Sequence, residues 1–124
     1  MSEQAERLQE RTERFVLDIF ELIKTLPATE PGPTIRRQLS KSATSVAANY
    51  RATCRARSHA EFTARIGVVA EEADENVFWL DVLSKAKLTP SELLPQLLQE
   101  ARELLAIFSA TVGTARRTDR ARSK

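Results

Sequence analysis

One cysteine and one histidine in 124 residues leave little room for several kinds of chemistry. A lone Cys54 cannot close an internal disulfide, and one Cys with one His cannot furnish the four ligands of a conventional zinc site. Catalysis of the Ser-His-Asp type would rest entirely on His59, and no sequence feature marks an orienting carboxylate or a nucleophile for it. Only three glycines are present, and none belongs to a phosphate-cradling loop or a dinucleotide fingerprint. The Glu-x-x-His pairs of di-iron bundles are missing. The carboxylates Glu71, Glu72, Asp74 and Glu75 therefore read as a solvated or salt-bridged surface that fixes helix register. No metal, no cofactor and no enzymatic activity are expected. No apolar run approaches the ~20 residues of a membrane span, and the start MSEQAERLQERTER carries no signal-peptide core. A cytoplasmic protein with no membrane attachment is expected.

What is present is helix-forming sequence. Charged residues at 29% and hydrophobic residues at 42% give the balance of a folded chain, and the length suits one domain with one core. Prolines cluster at 27–33 and 90–95, and no stretch alternates apolar and polar residues with hairpin turn signals. Four helical segments follow. The first runs from Glu3 to about Leu26 and stops at Pro27. The second runs from about Thr34 to Cys54. Ser58-His59-Ala60-Glu61 is a capping box that opens a third helix lasting to about Ala86. Thr89-Pro90-Ser91-Glu92 is a second box, with proline at the tolerated first position, opening a fourth helix to about Thr111. Residues 1–112 are read as the bundle and 113–124 as a basic, disordered tail beyond Gly113.

At 100° per residue, Ile35, Leu39, Ala43, Val46 and Tyr50 share one arc of the second helix, and the first and fourth helices carry similar stripes. Short connectors between such helices predict an all-α fold, an antiparallel up-down-up-down four-helix bundle. The third helix departs from this pattern. Phe62, Ile66, Val69, Ala73, Val77 and Leu80 form its core stripe, while Val68, Phe78, Trp79 and Val82 lie roughly opposite. A second apolar face calls for a second surface to cover it. Together with Leu17 and Phe20, these four residues are the expected interface of a homo-oligomer.

The net charge of +2 hides a segmental pattern. Residues 34–57 hold six bases and no acid, and residues 116–124 hold five bases and one acid, whereas the stretches between are acidic. Arg37, Lys41, Arg51 and Arg55 lie opposite the apolar stripe of the second helix, and Arg57 lies just past its end. Arg36 flanks the row and is equally a structural partner for Glu75. Such a row suits RNA or DNA phosphates, because each neutralised phosphate releases counterions. Contact would be to the backbone and weakly sequence-specific, since aromatic residues for base stacking are not interleaved. The competing reading is a face that docks the acidic third helix of another subunit or a protein partner. His59 is expected as an exposed residue near a helix start, and Cys54 as an ordinary helix-end thiol.

Ile35-Arg36-Arg37-Gln38-Leu39, then Ser42 to Tyr50 (SATSVAANY), then Ser58 to Phe62 (SHAEF), and a glutamate at Glu75 together resemble the four helix bundle protein family. Its members include proteins encoded in intervening sequences of bacterial 23S ribosomal RNA genes. The resemblance implies a left-turning bundle that assembles as a ring-like homopentamer, with no established enzymatic activity. The sequence is also similar to the accessory variability protein of diversity-generating retroelements, which implies binding to nucleic acid and to a protein partner. It departs from the family pattern at Ala47, where proline is common, and at Ala52-Thr53, where Glu-Gly is common. A longer second helix is the implied consequence.

Overall fold

The computed structural model describes residues 1–123 as four helices: α1 (Glu3–Ile23), α2 (Gly32–Thr53), α3 (His59–Ala86) and α4 (Leu93–Ser123). Each start has a local cause. The Ser2 hydroxyl accepts from the Ala5 amide at 3.1 Å, and Glu3 and Glu6 place negative charge at the positive end of the α1 dipole. Ser58 caps α3 by accepting from the Glu61 amide at 3.0 Å. The return half of that box lands one residue early, since Glu61 accepts from the Arg57 amide at 3.2 Å and not from the cap residue. The second predicted box does not start α4. The Thr89 hydroxyl accepts from the Ser91 amide, and the Ser91 hydroxyl accepts from Leu93, so the two side chains build a turn and the helix begins only at Leu93.

The end of α1 and the start of α2 meet at Gly32. A Cβ built on Gly32 would lie 1.8 Å from the Pro27 carbonyl oxygen, so only glycine allows the connector to close against the first turn of α2. Gly32→Ala is expected to destabilise the fold by roughly 1–3 kcal/mol, the usual cost of forcing backbone apart in a packed site. A lowered urea midpoint at unchanged m-value is the measurement that checks it.

Cross-helix contacts fix the topology. Glu13, Val16 and Leu17 of α1 face Thr44, Ala47 and Arg51 of α2, while Arg36 reaches back to the carboxyl end of α1. Ser42 of α2 donates to Asn76 Oδ1 of α3, a buried polar pair between the two helices. Gly67 and Asp74 of α3 lie beside Val112 and Leu105 of α4, and Arg11 of α1 pairs with Glu100 of α4. Each helix thus packs antiparallel on its neighbours, and α4 closes against α1. The bundle is all-α and up-down-up-down, as the stripes predict. Phe15, Ile19 and Leu22, Leu39 and Val46, Ile66 and Leu80, and Leu104 and Phe108 fill its core from the four helices in turn. Tyr50 tilts against Phe108 at 5.1 Å between centroids.

The largest departure from the sequence reading is the length of α4. It does not stop at Thr111 but continues through Gly113 to Ser123. Val112 and Ala115 are buried, and the burial outweighs the ~1 kcal/mol that a helical glycine costs. The tail read as disordered is three further turns of helix.

Candidate nucleic-acid interface

The outer face of α2 carries Arg37, Lys41 and Arg51, and Arg55 follows in the turn just past its end, all four exposed. Arg37 and Lys41 stand one turn apart, and Arg37 to Arg51 spans ~21 Å at 1.5 Å rise per residue. Among the described residues, none of these four is within ion-pairing distance of a carboxylate. Arg57 is exposed too, but its Nε lies 4.0 Å from Glu61, which also accepts from Arg65 Nε at 2.9 Å. The Arg57 amide and the Arg65 guanidinium hold the Glu61 carboxyl below its usual range. The five sequence-predicted cations therefore fall in two groups, Arg37 with Lys41 and Arg51 with Arg55 and Arg57, separated by the uncharged stretch 42–50, with Arg57 partly engaged by Glu61.

Arg36 does not pair with Glu75. It turns toward the end of α1, where its guanidinium donates to the carbonyls of Ile23 at 3.3 Å and Leu26 at 3.2 Å. A cation on unsatisfied carbonyls at a helix C-terminus answers the negative end of the dipole. This residue is structural.

The acidic surface of α3 contains one unfavourable group. Glu72 Oε2 is buried without a partner, and burial, then the neighbouring Glu75 carboxylate, raise the Glu72 pKa above the usual carboxylate range, while Lys41 opposes them. A carboxyl raised in the folded state costs stability as pH climbs past its unfolded value. Glu72→Gln is expected to stabilise the protein at pH 7 by less than about 1 kcal/mol, given its partial exposure. The gain should vanish below about pH 4, where both states are protonated, which thermal melts at pH 3.5 and 7 would register.

The predicted apolar surface divides into two. Leu17 and Phe20 of α1 are 61% and 39% exposed, and Val68 and Phe78 of α3 are 43% and 56% exposed. Leu17 edges an open cleft of about 360 Å³ floored by Val16, Ala47 and Ala48, with Arg51 at its rim. Trp79 and Val82 instead pack partly against the bundle's own core. Trp79 meets Phe78 edge-to-face at 4.9 Å, and its Nε1 is buried without a partner.

His59 is half-buried, contrary to the expectation of an exposed residue. Its Nε2 lies 3.2 Å from the Ala115 carbonyl and 3.0 Å from Asp119 Oδ1, and its ring stacks on Phe62. This tie joins the first turn of α3 to the last turns of α4. Sequence reading missed it because the partners are 60 positions apart, and the one available signal was a single acid in a basic tail. Cys54 is half-buried one turn from Tyr50, whose phenol is pushed up by burial and by Cys54. On the opposite side of the bundle, Glu71, Asp74, Ser109 and Arg116 line a cleft of about 480 Å³ between α3 and α4. Among the described residues no three of His, Cys, Asp or Glu converge as metal ligands would, and no helix is long and apolar enough to cross a membrane.

The paired arginines, the Ser-x-x-Ala-Asn stretch and the Ser58 cap thus sit in one four-helix frame. The profile of the 23S rRNA-intervening sequence proteins matches residues 6–110. The chain belongs to the 23S rRNA-intervening sequence protein family. The fold agrees with that of a crystallised protein of unknown function from the S23 ribosomal protein family of Bacteroides thetaiotaomicron. The two superpose with a TM-score of 0.75 at 23% identity, over 84% of this chain and 96% of that one. No curated protein sequence matches the chain. Within this family member, the last turns of α4 lie outside the matched region.

Proposed function

We propose that the protein is a non-enzymatic, homo-oligomeric accessory factor whose α2 face binds the phosphate backbone of RNA or DNA. The observation that carries this reading is the row Arg37, Lys41, Arg51 and Arg55. Three exposed cations on the outer face of α2, and Arg55 in the turn just past it, have no carboxylate within ion-pairing distance among the described residues. Neutralising phosphates from such a face is favourable chiefly through counterion release. Repetition around an oligomer would raise the effect through avidity.

Assembly is supported by the two exposed apolar patches. Phe78 of α3 shares its outer face with Glu71, Asp74 and Glu75, whereas Leu17 of α1 shares a cleft with Arg51 of α2. Patches of unlike rim charge suit a heterologous, head-to-tail contact, which closes into a ring where the rotation allows it. We propose five copies for the ring, the number that the family resemblance implies. The unpaired acids of α3 also favour a second reading, an interaction scaffold in which the arginines of α2 dock the neighbouring subunit or a protein partner. Fluorescence anisotropy with duplex RNA and duplex DNA at about 50 and 200 mM salt tests the first reading. Micromolar binding that weakens steeply with salt supports it, and no binding at the lower salt overturns it.

A further inference from the structure

The last three turns of α4 are a helix with an unusual charge balance. Residues 116–123 contain Arg116, Arg117, Arg120 and Arg122 against one acid, Asp119. Asp119 Oδ1 lies 3.0 Å from His59 Nε2. Arg116, Arg117 and Arg120 fall within a ~100° arc at helical spacing, and all are exposed. The Arg117 guanidinium lies over Gly113 and donates to the Thr114 hydroxyl at 3.3 Å, and no carboxylate among the described residues holds Arg117, Arg120 or Arg122. The His59 tie also sets where this arm sits. His59 follows Arg55-Ala56-Arg57-Ser58 directly, so its bonds to Ala115 and Asp119 bring the arm to the pole of the bundle where the α2 row ends.

We propose that the carboxyl-terminal arm of α4 is a second nucleic-acid contact, which continues the α2 row around the pole and adds phosphate contacts through Arg117 and Arg120. This rests on the backbone-binding reading of α2 and extends it to an element outside the region shared with the family. A nucleic-acid backbone fits better than an anionic membrane, because a surface-lying helix needs an apolar face. Beyond Ala115 the arm offers only Ala121 as an apolar residue. It fits better than an isolated anion, because the cations are spread over two elements and no single pocket gathers them. The one acid of the arm, Asp119, turns to His59 Nε2 at 3.0 Å and lies outside the arc that holds Arg116, Arg117 and Arg120.

The test uses the full-length protein and a duplex RNA in anisotropy titrations across 50–200 mM salt. Three versions are compared: wild type, Arg117→Glu/Arg120→Glu, and Arg117→Lys/Arg120→Lys. Each phosphate contact contributes about 0.9 to the salt slope, so losing two lowers the slope by about 1.8. Over this fourfold salt range the affinity of the glutamate variant should then fall about tenfold less than that of wild type. At 50 mM salt it should bind at least tenfold more weakly, while the lysine variant, which keeps the charges, stays near wild type. Circular dichroism and assembly mass should be unchanged in both, and the lysine pair separates lost charge from lost fold. A glutamate variant that binds as wild type does, while Arg51→Glu/Arg55→Glu loses binding, overturns the arm and leaves the α2 reading standing. Absence of binding by wild type overturns both. Equal affinity of wild type and the glutamate variant for RNA, with loss only on vesicles of phosphatidylserine and phosphatidylcholine, also overturns the arm as a nucleic-acid contact.

Discussion

Reversing the charge of Arg51 and Arg55 is expected to weaken RNA or DNA binding on the order of 100-fold at 50 mM salt. Each residue offers a charge-assisted contact worth about 1.5 kcal/mol net, and 1.4 kcal/mol is a factor of ten. The side chains are exposed and hold no ion pair among the described residues, so what the substitution takes from the isolated bundle is the favourable placement of Arg51 in the last turn of α2, at the negative end of the helix dipole. Stability should fall by no more than about 1–2 kcal/mol, the cost of reversing a charge at a helix C-terminus, which leaves the bundle folded. The same variant separates the two functional readings. An assembly of unchanged mass that no longer binds nucleic acid places Arg51 and Arg55 on phosphate. An assembly that falls apart places them against the acids of a neighbouring α3, where a reversed charge repels Glu71, Asp74 and Glu75. Static light scattering on the anisotropy samples distinguishes these outcomes directly.

The fold was legible because burial repeats at helical period. Ile35, Leu39, Ala43, Val46 and Tyr50 are all buried, as are Leu97, Ala101, Leu104 and Phe108. The α3 cap was legible because Ser58 and Glu61 act within one turn. The features that were misread depend on distant partners. Arg36 was placed near Glu75 by charge alone, yet the nearest unsatisfied acceptors are carbonyls at the end of α1. Gly113 suggested a helix end, since local propensity contains no term for the burial of Val112 and Ala115. The same holds for His59, whose partner lies on the segment read as tail. Of the predicted basic residues, the outward direction of Arg37, Lys41, Arg51 and Arg55 followed from the core stripe, because opposite faces of one helix are set together. Their engagement by a polyanion is a property of two molecules, and periodicity within one chain does not encode it.

If the protein assembles as proposed, replacing Phe78 by aspartate is expected to leave a 13.9 kDa monomer at micromolar concentration. Phe78 is 56% exposed in the isolated chain, so covering it in an assembly recovers a substantial share of the roughly 1.5–3 kcal/mol of a buried large side chain. Aspartate forfeits that and adds a charge that desolvation would penalise. In a ring every contact carries the change, so the loss is repeated at each interface. The bundle itself should keep its melting temperature, because Phe78 points away from the core filled by Leu80 and Leu83. Trp79 is unsuitable for this test, since it packs partly on the core and its loss would mix folding with assembly. Leu17→Asp probes the complementary patch. A head-to-tail contact requires each substitution alone to break the assembly, and requires that mixing the two variants restore at most one contact per pair, a dimer of about 28 kDa in place of a ring. A symmetric contact through α3 alone would instead leave Leu17→Asp fully assembled.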